Sequence, residues 1–286
     1  MLRRRLGRTG HHSAVAILGG AAYGRSDPDE TGRSFAAAVA RGVNHLDIAP
    51  QYGLAEELVG PSLRAVRDRI FLACKTLRKN VDGVKAQAEE SLRKLRTDRF
   101  DLYQAHAVTS LEVLDERAGA LAEIIRMRDT GLTRFAGITG HDMTAPATFV
   151  EALRRFDLDT VMFPVNARLW ADAEYRRDAE ALLAICAERD LGVMAIKAGA
   201  ARPWGDREKW ATSWYEPRRD DLDVGIRFTL SVPGVHAFAT PGDVAVLERA
   251  LDAADAFEPM TPDEVSAAIA SAQHEPLIFP IAEHAR

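Results

Sequence analysis

The chain has 286 residues, 47% hydrophobic and 28% charged, enough apolar material for one large core or two ordinary ones. A net charge of −5 with no concentrated basic run argues against nucleic acid as a partner. Cys74 and Cys186 are too few and too isolated for a disulfide framework, an iron–sulfur cluster or a structural zinc site; no metal site is expected, and a reducing cytoplasm fits.

The basic opening is followed by an apolar run, but the polar GRTGHHS and the Gly19–Gly20 pair interrupt any leader-like segment. No apolar stretch is long enough to span a membrane, so no membrane partner is expected. RRRLGRTG predicts a short hairpin at the start of the chain. Eight short apolar runs bounded by turn residues then follow: AVAILGG, VNHLDIA, IFLACKT, FDLYQAHA, RFAGITG, DTVMFPVN, GVMAIKA and VHAFAT. Segments of helical periodicity lie between them, DETGRSFAAAVARG, VDGVKAQAEESLRKLR, SLEVLDERAGALAEIIRMRDTG, APATFVEALRRF and AEYRRDAEALLAICAERD among them. Alternating strand and helix implies parallel βαβ units, and eight in a chain of this length predict an α/β fold, a closed (β/α)8 TIM barrel forming a single domain over 1–286. The hairpin closes its bottom, and TPDEVSAAIASAQH adds a C-terminal helix starting near Thr261 or Asp263. ILGGAAYG lacks the spaced glycines of a dinucleotide-binding turn, which counts against an open doubly wound sheet.

Barrel chemistry is carried where strands end and βα loops begin. The second run ends at Asp47 with Tyr52 in the following turn, the third places Lys75 near its end, and the fourth places His106. Taken singly, each has an ordinary explanation: a helix-capping Asp, a rim lysine, a structural histidine. His45 is read as structural, and Cys74 beside Lys75 as packed without a redox role. Together the four make a proton-donating set. Tyrosine has a solution pKa of about 10, so a neutral hydroxyl is available near neutrality, provided a cation stabilises the phenolate left behind. Lys75 supplies that cation, Asp47 keeps it charged and oriented, and His106 can hydrogen-bond a carbonyl oxygen.

LDIAPQYG, FLACKT, DLYQAHAV and RFAGITGHD, in that order on consecutive units, resemble the aldo-keto reductase superfamily over nearly the whole chain. The resemblance implies a catalytic tetrad of Asp47, Tyr52, Lys75 and His106. The implied reaction is hydride transfer between a nicotinamide cofactor and a carbonyl or alcohol substrate, with Tyr52 protonating the developing alkoxide. Many relatives carry Ser-Asn after the fifth strand; Thr139 and His141 stand there instead. Met162 takes the place of the usual sixth-strand glutamine, leaving Asn166 as the nearest amide, and Ile196 and Lys197 replace a tyrosine that stacks on nicotinamide.

After the eighth strand, Thr240 and Gly242 keep the turn that receives the pyrophosphate at a helix N-terminus. Asp243 would accept a ribose hydroxyl and repel a phosphate, which leans toward NAD, while Arg249 and the family at large lean toward NADP. Tyr23, Trp170, Trp204 and Trp214 are the candidates for an aromatic substrate wall. They suit a bulky substrate, partly apolar or sugar-like, and the tryptophan-rich stretch ending SWYEP reads either as a lid or as packing. The expected assembly is a monomer or small homo-oligomer. Two rivals stand beside the reductase: a nicotinamide-binding sensor barrel with little turnover, and a non-redox lyase or epimerase using the same acid and base groups.

Overall fold

Eight parallel strands close on one another in the computed structural model, which describes residues 1–279. Residues 280–286 of the expected domain lie outside the described residues. Two antiparallel strands come first, β1 (Arg3–Arg5) and β2 (His12–Ala14), and form the expected hairpin. The barrel strands are β3 (Ala16–Gly19), β4 (His45–Asp47), β5 (Phe71–Thr76), β6 (Phe100–Ala105), β7 (Thr133–Thr139), β8 (Thr160–Pro164), β9 (Gly192–Ile196) and, after the outer pair β10 (Ala200–Pro203) and β11 (Tyr215–Pro217), β12 (Ala237–Ala239). Each falls within one of the eight apolar runs except β7, which begins one residue before its run at Thr133, and β12 closes the ring between β9 and β3.

Around the barrel run α1 (Pro28–Ala40), α2 (Ala55–Val66), α3 (Val81–Leu95), α4 (Leu111–Glu116), α5 (Ala118–Asp129), α6 (Ala145–Arg155), α7 (Ala167–Trp170), α8 (Ala173–Glu188), α9 (Leu222–Ser231), α10 (Val244–Asp255) and α11 (Pro262–Ala272). Several start at side-chain caps: Asp27, Asn80, Ser110 and Asp172 each accept the backbone N–H three residues on, an arrangement worth about 1 kcal/mol per helix. Thr261 and Glu264 form a reciprocal capping box at α11. None of the described helices is long and apolar enough to cross a membrane.

The period of two along each strand sorts side chains into a barrel interior and a layer facing the helices. The interior floor is apolar: Leu6 from the hairpin plugs the bottom against Ile17, Phe71, Leu102 and Met194. His45 lies in this lower layer, its Nδ1 3.0 Å from the Ser13 hydroxyl and its ring edge-on to Phe71. One pleat higher on the same strand, toward the strand ends, the interior becomes polar with Asp47, Lys75 and Gln104, all buried. Gly137 leaves room for them, since a Cβ there would meet both the Thr160 hydroxyl and the Gln104 side chain.

Three elements differ from the sequence reading. Helix α2 follows directly on the Tyr52 turn, although Gly60 and Pro61 inside it weaken its helical signal. The long 110–131 segment is two helices, α4 and α5, joined at Arg117, whose guanidinium turns inward to the His106 carbonyl. The tryptophan-rich stretch is rooted by the antiparallel pairing of β10 with β11, so it leaves and rejoins the barrel as a strap.

Gly60 is where α2 touches the C-terminal end of α3. A Cβ at this position collides with the Lys94 carbonyl, backbone that has no rotamer to yield. Gly60→Ala is therefore expected to destabilise the fold by about 1–3 kcal/mol in urea unfolding, despite alanine's better helix propensity. A more stable variant would show that the α2–α3 contact is looser than described.

Candidate active site

The polar upper layer of the barrel opens into a cleft of about 590 Å³ at the C-terminal ends of the strands. Asp47, Tyr52, Lys75 and His106 all line it. Parallel pairing places Lys75 of β5 level with Gln104 of β6, and Asp47 of β4 level with Ala73. Lys75 thus stands one interior step above Asp47, within reach of both that carboxylate and the turn beyond it. Its Nζ lies 2.5 Å from Asp47 Oδ2 and 3.1 Å from Tyr52 Oη. Gln104, which the sequence reading passed over, donates from Nε2 to Asp47 Oδ1 at 3.3 Å and so occupies the second carboxylate oxygen. Its signal was available: in DLYQAHA it shares the inward face with Leu102 and His106, and an inward amide is out of place in an apolar core.

Burial penalises every charged form in this layer, and the neighbours decide what survives. Burial works against the Lys75 ammonium, but Asp47 and Tyr52 outweigh it and hold the lysine above its ordinary range. Burial raises the Asp47 carboxyl while Lys75 and Gln104 oppose it, and burial raises the Tyr52 phenol against the pull of Lys75. His106 is pushed well below the usual imidazole value by burial and then by the Lys75 charge, so its ring is neutral near pH 7. A neutral phenol, a buried ammonium beneath it and a neutral imidazole edge-on to the phenol ring, centroids 5.9 Å apart, share one mouth. Such a set can deliver a proton to an oxygen placed between Tyr52 and His106.

His106 is held from several sides. Its N–H donates to the Thr76 carbonyl at 2.8 Å, Arg117 bonds its carbonyl, and Nδ1 lies 3.2 Å from Gln51 Oε1. Next around the rim, the Thr139 hydroxyl and His141 Nδ1 are buried polar atoms without hydrogen-bond partners among the described residues, and both residues line the cleft. Met162 and Ile196 add an apolar floor. Lys197 follows β9 in a left-handed conformation (φ 67°), its Nζ 4.8 Å from the centre of the Trp214 ring and 4.7 Å from that of Tyr215. Burial, and then repulsion from Lys75, lower its pKa to about 7. Thr240 and Gly242 complete the rim beside β3, the Thr240 hydroxyl accepting the Gly19 N–H at 2.9 Å.

Several sequence candidates lie elsewhere. Tyr23 is fully buried behind the rim, its hydroxyl 3.3 Å from Ser34, and does not reach the cleft. Trp170 packs edge-on against Tyr175 and Phe228 in the helical layer. Trp204 is buried under the strap and donates its indole N–H to the Ser213 carbonyl at 2.8 Å. Of the four tryptophans only Trp214 lines the cleft. Asn166 spends its amide on local structure: it caps α7 through Leu169 N at 3.0 Å and donates to the Lys197 carbonyl at 3.1 Å. Asp243 caps α10 through Val246 N at 3.1 Å, and its other oxygen accepts Thr212 N at 2.9 Å, so each carboxylate oxygen already holds a backbone N–H. Arg249, exposed on α10, donates to the Arg219 carbonyl outside the cleft lining.

Known proteins match this chain in both sequence and shape. The family model described as the aldo/keto reductase family matches residues 16–217. The aldo-keto reductase YhdN of Bacillus subtilis is 30% identical over 146 residues, 46% of this chain and 43% of that protein. The matched stretches span about half or less of the curated relatives' length. Among solved structures, the holo form of an aldo-keto reductase from Bacillus halodurans superposes with a TM-score of 0.73 at 21% identity, covering 95% of this chain and 96% of that one. A Klebsiella pneumoniae aldo-keto reductase in complex with NADP and acetate gives 0.67 at 20% identity, covering 95% of each. The chain belongs to the aldo/keto reductase family.

Proposed function

We propose that this protein is a nicotinamide-dependent oxidoreductase that interconverts a carbonyl compound and its alcohol. The observation that carries the reading is Lys75 Nζ bridging Asp47 Oδ2 at 2.5 Å and Tyr52 Oη at 3.1 Å on the cleft floor. Tyr52 is the general acid. Lys75 stabilises the phenolate as the proton leaves, and Asp47 keeps Lys75 charged and aimed. His106 orients the carbonyl through its neutral ring: in the tautomer that carries the proton on Nε2, that nitrogen donates to the same oxygen.

The cleft fits a nicotinamide dinucleotide. The unpartnered Thr139 hydroxyl and His141 Nδ1 match the needs of a carboxamide, Lys197 offers an uncommitted cation to a pyrophosphate, and Thr240 and Gly242 shape the turn before α10. Asn166 contributes by fixing the Lys197 carbonyl rather than by touching the cofactor. When bound, a reduced nicotinamide supplies hydride to the carbonyl carbon. The NADP held by the Klebsiella neighbour supports this class of cofactor. Trp214, Tyr215 and Ile196 favour a substrate with a flat apolar part.

Tyr52→Phe removes the proton donor and leaves the cofactor contacts in place. Turnover across a panel of aldehydes and ketones should fall about 10²- to 10⁴-fold, with NADPH affinity by fluorescence titration nearly unchanged. Wild-type-like turnover in this variant would refute the assignment. A wild-type protein that binds NADPH tightly but turns over no carbonyl would be the sensor instead.

Gln104→Leu strips the donor from Asp47 Oδ1 in a dry interior. Losing a hydrogen bond to a charged group costs about 1.5–3 kcal/mol, so kcat should fall roughly ten- to a hundredfold. Because Gln104 helps hold Asp47 ionised, the acid limb of the kcat profile should also move to higher pH. An unmoved acid limb with normal kcat would remove Gln104 from the site.

Lys197 gives cofactor binding a pH dependence whose sign is fixed. The free ammonium, at about 7, loses its proton as pH rises through neutrality, whereas a pyrophosphate favours its charged form. NADH, whose pyrophosphate keeps its charge over this range, should bind steadily below pH 7 and progressively more weakly between pH 7 and 9. Lys197→Met should bind more weakly and show a flat profile; a slope that persists in that variant assigns the titration to another group.

A further inference from the structure

Arg25 lies outside the groups used so far. It is exposed on the segment after β3, lines the cleft, and takes part in none of the ion pairs between described residues. Its backbone is stitched to the turn that carries Tyr52. Leu54 N donates to the Gly24 carbonyl at 3.1 Å, and Gly24 and Gly53 pack so closely that a Cβ on Gly24 would strike the Tyr52 carbonyl and one on Gly53 the Gly24 carbonyl. The backbone leading into Arg25 is therefore anchored to the turn of the proposed acid.

The charge inventory of the cleft is lopsided. Its lining contains three cationic side chains, Arg25, Lys75 and Lys197, and a single carboxylate, Asp47, which is already bonded to Lys75. Lys197 stands on the β9 side near Thr240 and Gly242, where the cofactor pyrophosphate is proposed to lie. Arg25 follows β3 next to the Tyr52 turn, and Gln51 and Tyr52 share its part of the lining. A guanidinium there presents a planar fork of donors that a carboxylate matches in a bidentate pair and a neutral alcohol or alkyl group does not.

Resting on the reductase reading, we propose that Arg25 is a specificity-determining residue and that the substrate is a carbonyl compound bearing a carboxylate at its far end. The carbonyl oxygen sits between Tyr52 and His106, the carboxylate reaches the rim at Arg25, and the connecting part lies against the apolar wall. The acid group has no role in the chemistry. It selects and orients the substrate, so its contribution is read as a ratio between matched compounds.

The test compares kcat/KM for 4-carboxybenzaldehyde against benzaldehyde, and for succinic semialdehyde against butanal, in wild type, Arg25→Lys and Arg25→Ala. The expected result is a preference for the carboxylated member of each pair. It should fall about tenfold in Arg25→Ala, fall less in Arg25→Lys, which keeps the charge but loses the fork, and shrink with added salt. An independent arm needs no turnover: 4-carbamoylbenzoate should bind the NADP-loaded protein more tightly than benzamide in wild type, and that difference should shrink in Arg25→Ala. Turnover without a carboxylate preference, or a preference that survives Arg25→Ala, overturns the proposal. So does a loss of NADPH affinity in Arg25→Ala with the ratio unchanged, which would give Arg25 to the cofactor phosphate. Absence of turnover with every aldehyde, but an Arg25-dependent difference in the binding arm, would sink the reductase reading and leave the carboxylate subsite standing.

Discussion

A charged lysine in the interior of a barrel is the constraint around which the rest of the site is arranged. Lys75 is 1% exposed, and an ammonium so placed is strongly destabilising unless its charge is matched and its protons are bonded. Asp47 answers the charge and Tyr52 takes a second bond. The carboxylate would then carry its own unsatisfied oxygen, which Gln104 fills. Each solution creates the next requirement, so the chain Gln104, Asp47, Lys75, Tyr52 is continuous from interior to cleft. A hydrophobic quartet of similar volume would stabilise the barrel at least as well. That the costly arrangement stands at the strand ends is itself an argument for chemistry there.

Barrel geometry makes this possible at modest expense. Side chains alternate in and out along each strand, so adjacent parallel strands bring their inward residues together in layers. The lower layer is filled by Leu6, Phe71, Leu102 and Met194, and it keeps water from reaching the pair from below. Above it, Asp47 and Lys75 line the cleft yet stay almost fully buried beside the half-buried Tyr52. The Asp47–Lys75 attraction therefore acts in a poorly screened setting, which keeps the lysine charged beneath a phenol that must shed a proton.

The barrel and the four side chains that meet in the cleft were legible in the sequence because both follow from strict local rules. Strand runs of period two, separated by helical segments, indicate the fold, and a strand-end position tells where Asp47, Lys75 and His106 must point. The rim was much less legible. Asn166 and Asp243 were read by residue type as ligand contacts, but both are helix caps, a use for short polar side chains that competes directly with binding. Tyr23, Trp170 and Trp204 sit near strand ends in the chain but pack away from the cleft, because the period of two that aims strand residues does not carry into the turns and short helical pieces that hold them. Helix α2 was hidden by Gly60 and Pro61, which lower helix propensity in isolation, while packing of α2 on α3 overrides that local preference.

Lys197 shows how such rim positions acquire meaning only in three dimensions. In the sequence it is a lysine after a strand where a stacking tyrosine would be usual. In the structure its backbone adopts φ 67°, unfavourable for a side-chain-bearing residue, and Asn166 bonds its carbonyl. Its ammonium lies against two aromatic rings, a setting that supplies cation–π attraction but, among the described residues, no compensating anion. Lys75 cannot relieve this, since its own charge is what lowers the Lys197 pKa further. The two lysines therefore divide the work that one cleft must do. The paired one is held charged by Asp47 and protected from titration over the ordinary pH range. The other has no carboxylate partner among the described residues, and its pKa of about 7 leaves its charge open to change near neutrality.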